Sequence, residues 1–174
     1  MKSTRWLGLA LVGWVGLVIS VARLTRAADS AVAEPPTKST AQTPVPRDAA
    51  WMRKHERINE RAKQGDVDLL FIGDSITEGW AGRGKEVWDK YYGNRKAMNA
   101  GIGGDRTQHV LWRLDNGNID GINPKLAVIM IGTNNSNGSD NTAEEIANGT
   151  KAIVTEVEIG AAGDEVSDPE RTIS

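Results

Sequence analysis

The chain has 174 residues, a formal net charge of −2 at pH 7, no cysteine and only two histidines. A near-neutral balance without a basic patch or clustered aromatic residues argues against nucleic acid as a partner. The lack of cysteine excludes disulfides, a thiol nucleophile and a thiolate metal site. No other metal-ligand spacing is present, so we expect neither a metal nor a cofactor.

Residues 1–33 have the pattern of a secretory signal. Lys2 and Arg5 precede an apolar stretch over residues 6–22, and Ala31-Val32-Ala33 matches a small-residue cleavage site. The alternative is an uncleaved membrane anchor, in which residues 6–22 would associate with the membrane. Both interpretations predict an exported protein that is periplasmic, secreted or held at the cell surface.

Composition divides the remainder into three parts. Residues 34–47 are rich in Pro, Thr and Ala and predict a linker. Residues 48–158 carry the periodic patterns of one small folded domain. Residues 159–174 have only scattered apolar positions and predict a disordered tail.

Helix and strand patterns alternate along the domain. Helices are predicted over 48–63, 85–92, 108–114 and from 143 to about 158, and strands over 68–73, 97–100 and 126–131. Asp48 is a candidate cap for the first helix, and Thr142 with Glu145 forms a capping box before the fourth. This alternation predicts an α/β fold with a parallel sheet between helices.

Three polar clusters follow the three predicted strands, and the carboxyl ends of parallel strands meet at one edge of a sheet. The clusters are Gly73-Asp74-Ser75, Gly101-Ile102-Gly103-Gly104-Asp105 and Gly132-Thr133-Asn134-Asn135. Taken singly, each is typical of a turn. Together they supply a candidate nucleophile in Ser75 and oxyanion donors in the Ser75 and Gly104 N–H groups and the Asn134 side chain. Asp74, Asp105 and Asn135 are interpreted as supporting these loops.

These clusters, with the longer stretch from Asn99 to Leu114, resemble the SGNH (GDSL-type) hydrolases. The similarity is greatest to the platelet-activating-factor acetylhydrolase-like and carbohydrate acetylesterase-like branches. The resemblance implies a flavodoxin-like, three-layer α/β/α fold. It also implies that Ser75 is the nucleophile and that Gly104 and Asn134 contribute to the oxyanion hole.

The family also uses a histidine base oriented by an aspartate three residues earlier, and this sequence contains no Asp-x-x-His. We therefore expect a domain truncated after the third strand and fourth helix, followed by a tail from outside the family. His55 and His109 are interpreted as packed or surface residues. An apolar third strand at the sheet edge would make such a chain marginally stable.

The resemblance implies an exported serine esterase that hydrolyses short acyl esters, such as acetyl groups on a glycan or a lipid. The alternative is a catalytically dead remnant that at most binds such a ligand. The two differ in whether the Ser75 proton has an acceptor.

Overall fold

A computed structural model describes residues 39–137 and 140–163. The predicted signal or anchor segment and residues 164–174 lie outside the described residues. In the described part, no helix combines the length and apolar character needed to cross a membrane.

Three parallel strands form the sheet in the order β2-β1-β3, as the resemblance implies. The strands are β1 (Leu69–Gly73), β2 (Ala97–Gly101) and β3 (Leu126–Met130). Gly73 pairs with Gly101 on one side and with Met130 on the other, so the three strands end level with one another. The predicted α/β fold is therefore confirmed, and the polar clusters share one edge.

Helices connect and flank the strands in the described ranges. They are α1 (Ala49–Lys63), α2 (Ser75–Glu78), α3 (Lys85–Tyr91), α4 (Thr107–Arg113), α5 (Thr133–Ser136) and α6 (Ala143–Gly163). Asp48 caps α1 through hydrogen bonds from the Ala50 and Trp51 N–H groups, as predicted. After α4 the chain makes a wide turn, and Gly117 leaves helical geometry at φ 105°.

The core lies on the sheet face that carries Leu70 and Ile72, which are 0% and 1% exposed. Apolar side chains from α1, α4 and α6 join them in one cluster, because each helix turns one apolar stripe to the sheet. Phe71 points to the opposite face, where it packs on Trp88 and Tyr92 at ring-centroid distances of 5.0 and 5.1 Å.

The predicted linker does not end where the composition suggested. Ala41 is fully buried, and its carbonyl oxygen accepts a hydrogen bond from the Thr107 hydroxyl at 2.7 Å. Val45 also donates through its N–H to the Gln108 carbonyl oxygen. Residues 39–47 are therefore part of the fold, because a small side chain and satisfied backbone groups need no apolar periodicity to pack.

The predicted end of the domain at Glu158 is also wrong, because α6 continues to Gly163. Its buried positions Ile153 and Val157 follow helical spacing, as predicted. Glycine fits at position 160 because a Cβ built there would lie only 2.7 Å from the Ile119 side chain. Helical hydrogen bonding thus extends beyond the last clear apolar pattern.

Candidate active site

Ser75 is the first residue of α2 and follows β1 through a tight turn. The Asp74 carboxylate accepts a hydrogen bond from the Ile76 N–H at 3.0 Å and so caps the helix. Ser75 is exposed, whereas Asp74 is only 1% exposed. The first N–H groups of a helix have no partner within it, and no acceptor lies on the Ser75 N–H in the part of the chain that the structure describes.

Gly103 and Gly104 bring the loop after β2 against the nucleophile. A Cβ built on Gly103 would lie 3.6 Å from the Ser75 Cβ and only 2.8 Å from the Glu78 Oε2. Gly104 has a φ of 78°, a conformation that glycine adopts without strain. Gly104 is exposed, and its N–H has no acceptor among the described residues. Two unpaired N–H groups therefore flank the serine.

Asn134 reaches the same edge from the loop after β3. Its Nδ2 donates to the Asp105 carbonyl oxygen at 2.8 Å and lies 3.3 Å from the Asp74 Oδ2. The amide is thus held beside Asp74, which precedes Ser75 in the chain, and beside Asp105, which follows Gly104. The structure brings together the serine, glycine and asparagine that the sequence placed on separate strand ends.

Asn135 has the supporting position predicted for it. It is fully buried, and its Oδ1 accepts a hydrogen bond from the Thr107 N–H at 3.0 Å. Its Nδ2 lies within 3.0 Å of both the Gln108 Oε1 and the Asn141 Oδ1. These contacts tie the loop after β3 to the start of α4.

Asp105 holds the glycine loop through its buried carboxylate. Oδ1 accepts from the Trp51 Nε1 at 2.7 Å and from the Arg47 Nη1 at 3.3 Å, while Oδ2 accepts from the Arg113 Nε at 2.9 Å. Burial raises the pKa of the Asp105 carboxyl, and attraction to the Arg113 guanidinium and the hydrogen bonds oppose that rise. The carboxylate supports the loop, as predicted, and faces no solvent.

Neither histidine contacts Ser75 in the described residues. His55 is 3% exposed and stacks on Trp51 with ring centroids 5.8 Å apart. The Nδ1 of His109 accepts the Arg106 N–H at 3.0 Å. Burial, together with the nearby charges of Arg47, Arg106 and Arg113, lowers the pKa of His109 to about 4. Both rings are packed, in line with their interpretation from the sequence.

A cavity of about 330 Å³ opens directly beside the candidate nucleophile. Its lining residues are Ser75, Ile76, Gly79, Trp80, Arg83 and Gly84. Ile76 and Trp80 make much of the wall apolar, and Arg83 contributes a charged group. The space suits a small acyl or alcohol group.

Sequence reasoning missed the side chains that connect the loops. Glu78 accepts the Gly103 N–H at 2.7 Å, and Arg47 donates to the Gly103 carbonyl oxygen at 2.9 Å. Glu78 lies three positions after Ser75 on the same helical turn, and this spacing was an available signal that its side chain lies near the serine. Arg47 had no such signal, because it lies in the segment interpreted as a linker.

Among the residues that the structure covers, no group of three or more His, Cys, Asp or Glu side chains is arranged to hold a metal ion. A serine at the end of a parallel strand, flanked by free N–H groups and an amide, is the arrangement of a serine acylhydrolase site. The family model described as the GDSL-like Lipase/Acylhydrolase family matches residues 71–165. The chain belongs to this family, whose members are carboxylic ester hydrolases.

Similar curated proteins are acetylhydrolase subunits. The chain is 45% identical to human platelet-activating factor acetylhydrolase IB subunit alpha2 over 107 residues, which are 62% of this chain and 44% of that protein. It is 42% identical to the rat alpha1 subunit over 120 residues, or 69% of this chain and 50% of that protein. The chain thus spans about half the length of the curated relatives it matches.

Proposed function

We propose that this protein is a serine esterase in which Ser75 is the nucleophile. The observation that carries the proposal is the convergence of Ser75, Gly104 and Asn134 on one edge of the sheet. The Ser75 hydroxyl is exposed there, and the neighbouring N–H groups have no acceptor among the described residues. Such donors stabilise the charge that develops when an ester carbonyl is attacked.

In the proposed reaction, the Ser75 Oγ bonds to the ester carbonyl carbon and its proton passes to solvent, since neither His55 nor His109 contacts Ser75 in the described residues. The carbonyl oxygen becomes an oxyanion that accepts hydrogen bonds from the Ser75 and Gly104 N–H groups. It also accepts one from the Asn134 amide once the Nδ2 gives up its 3.3 Å hydrogen bond to the Asp74 Oδ2. Collapse breaks the ester C–O bond and releases the alcohol after it takes up a proton. Water then attacks the acyl-serine and releases the carboxylic acid.

The substrate that we propose is a short acyl ester, with acetyl as the acyl group, on a glycan or a lipid. The cavity of about 330 Å³ beside Ser75 has room for a short acyl group, which supports this part of the proposal. The relatives are named as platelet-activating factor acetylhydrolases, which supports acetyl as the acyl group and favours a lipid as the part that carries it. Comparing the hydrolysis rates of acetyl, butyryl and octanoyl p-nitrophenyl esters under the same conditions tests the length of the acyl chain that the protein prefers.

We also propose that the protein is exported through residues 1–33, on the charged start and apolar stretch of the sequence alone. Mass spectrometry of the protein isolated from expressing cells tests this. A mature N-terminus at Glu34 in an exported fraction is the expected result. An intact Met1 in the cytoplasmic fraction would overturn export.

A second candidate is a binding module without turnover, and the positions of the histidines favour it. His55 and His109 are both packed away from Ser75 in the described part of the chain, so neither ring takes the Ser75 proton there. A serine without a base reacts slowly, although an oxyanion hole alone retains a part of the rate enhancement. Saturable binding of an acetylated ligand with no product would favour this candidate.

The deciding experiment compares p-nitrophenyl acetate hydrolysis by the wild type and Ser75→Ala. We expect Ser75→Ala to lose at least about 100-fold in kcat with an unchanged melting temperature, because the hydroxyl is exposed and makes no hydrogen bond to a described residue. Thr43→Ala is the matched control, since that exposed hydroxyl donates to the Ser39 carbonyl oxygen in the segment before α1. Equal rates in the wild type and Ser75→Ala would refute an esterase that acts through Ser75.

A further inference from the structure

Glu78 joins the helix of the nucleophile to the glycine loop. Its Oε2 accepts the Gly103 N–H at 2.7 Å, and its Oε1 accepts from the Lys54 Nζ at 2.5 Å. The two side chains are about one-third exposed, at 37% for Lys54 and 34% for Glu78. One carboxylate therefore connects α1, α2 and the loop after β2.

The backbone that carries Glu78 is packed tightly against the end of β2. A Cβ built on Gly101 would lie 2.3 Å from the Glu78 nitrogen, so α2 is seated directly on the end of β2. The Asn99 Nδ2 donates to the Thr77 carbonyl oxygen at 2.9 Å and holds the same turn. The carboxylate is thus presented to the Gly103 N–H by a rigid support.

The charge on Glu78 creates a requirement for a counterion. The carboxylate contacts the residue immediately before Gly104, near the place where an oxyanion would form beside Ser75. An uncompensated negative charge there would oppose the developing oxyanion. Lys54 supplies the compensating positive charge from α1. Each oxygen of the Glu78 carboxylate then accepts one hydrogen bond, from the Lys54 Nζ or the Gly103 N–H.

We propose that Glu78 is a positioning residue that holds the Gly103-Gly104 loop against Ser75, and that Lys54 neutralises its charge so that the oxyanion is not destabilised. The proposal rests on the proposed esterase function. It assigns a catalytic purpose to an ion pair in which neither member touches the substrate. It also makes a distinctive prediction, because removing Lys54 harms the site only while Glu78 is charged.

The test is the kinetics of p-nitrophenyl acetate hydrolysis by the full chain and four variants. Glu78→Ala loses the acceptor, and we expect kcat to fall about tenfold with KM little changed. Glu78→Gln retains an acceptor oxygen and is expected to lose at most about threefold. Lys54→Met leaves the carboxylate uncompensated and is expected to lose about tenfold in kcat.

The double variant Lys54→Met/Glu78→Gln decides between a catalytic and a purely structural ion pair. We expect it to recover kcat to within about threefold of the wild type, because no uncompensated charge remains. Failure to recover, with kcat losses that follow the melting temperatures, would overturn the proposal. Lys85→Met is the matched control, since it breaks the exposed Lys85–Asp89 pair on α3 and is expected to leave kcat unchanged.

The Gly103 amide gives a readout that does not depend on turnover. In ¹H–¹⁵N spectra of the full chain, Glu78→Ala is expected to shift this resonance upfield and accelerate its hydrogen exchange at least about tenfold, whereas Glu78→Gln retains most of its protection. An unchanged resonance in Glu78→Ala would overturn the contact itself. Ser75→Ala should keep the wild-type resonance, so failure of the esterase function and failure of the positioning contact are seen separately.

Discussion

At the scale of single residues, the site depends on charged groups that are packed rather than solvated. Arg113 is 1% exposed, and its guanidinium is shared between the Asp105 carboxylate and the Asn118 Oδ1, the latter at 2.6 Å. Arg47 adds a second cation beside Asp105. Removing one partner of such a pair leaves a buried charge uncompensated, which costs far more than an exposed pair is worth. Burial lowers the pKa of His109, and these cations add to that lowering.

His109 makes the stability of the fold dependent on pH. Its pKa is about 4 in the folded chain, below the ordinary value of 6.5, so the unfolded state binds the proton first as the pH falls. The contribution is fully present above pH 6.5 and is lost as the pH falls toward 4. From His109 alone we expect a loss of about 2 kcal/mol between about pH 7 and about pH 5.

Urea unfolding of the wild type and His109→Gln at several pH values measures this dependence. Glutamine retains an acceptor for the Arg106 N–H but does not titrate, so its curve should be flatter in this window. His55 also has a pKa lowered, chiefly by burial, and leaves a residual slope in the variant. Parallel curves for the two proteins would show that His109 is not the titrating group.

At the scale of elements, the Asp74 cap sets the start of α2, whereas the long helix α6 depends on both its cap and its packing. α2 and α5 each contain only four residues and place Ser75 and Asn134 by turn geometry. In α6, the Thr142 Oγ1 accepts the Glu145 N–H at 3.2 Å and the Glu145 Oε2 accepts the Thr142 N–H at 2.8 Å. The predicted capping box is therefore confirmed, and it fixes where the last described helix begins.

Thr142→Ala should lower the free energy of unfolding by about 1 kcal/mol, because the Glu145 N–H loses its cap. Thr142→Ser keeps the hydroxyl and is the matched control, with an expected change of no more than a few tenths of a kcal/mol. Chemical denaturation with circular dichroism detection measures both. A Thr142→Ser variant as destabilised as Thr142→Ala would assign the effect to packing of the methyl group.

At the scale of the whole molecule, the two faces of the sheet are covered unequally in the described residues. Leu126, Val128 and Met130 lie on the same face as Phe71 and are 59%, 40% and 51% exposed. α3 covers Phe71 but not these positions. The sequence predicted an apolar edge at β3, and the structure shows its apolar side chains facing outward, which is a recognised cause of self-association.

Val128→Lys should suppress concentration-dependent light scattering of the full chain on mild heating, with little loss of stability. The substitution places a charge on the exposed apolar face of β3, which discourages sheet-to-sheet contact. Ile129→Lys is the matched comparison, because its side chain packs against the core cluster and a buried lysine should destabilise the fold. Scattering that is unchanged by Val128→Lys would exclude this face as the site of association.

The local elements were predictable, and the residues of the candidate site could be proposed, because their signals lie within short stretches of chain. The apolar run of β1, the cap at Asp48 and the loop glycines each act on neighbouring residues, and the structure places them as predicted. The packing of Ala41 and the end of α6 were not predictable. Burial of a small alanine and continued hydrogen bonding through Gly160 leave no apolar period to detect.

The sequence by itself determined the alternating α/β order and the strand ends, and it predicted the three residues of the candidate site. Only the tertiary structure decided what holds them in register. The Glu78–Gly103, Lys54–Glu78 and Arg47–Gly103 contacts join segments that are 25, 24 and 56 residues apart. A local pattern specifies the conformation of its own segment, whereas a contact between distant segments exists only after the sheet has brought them together.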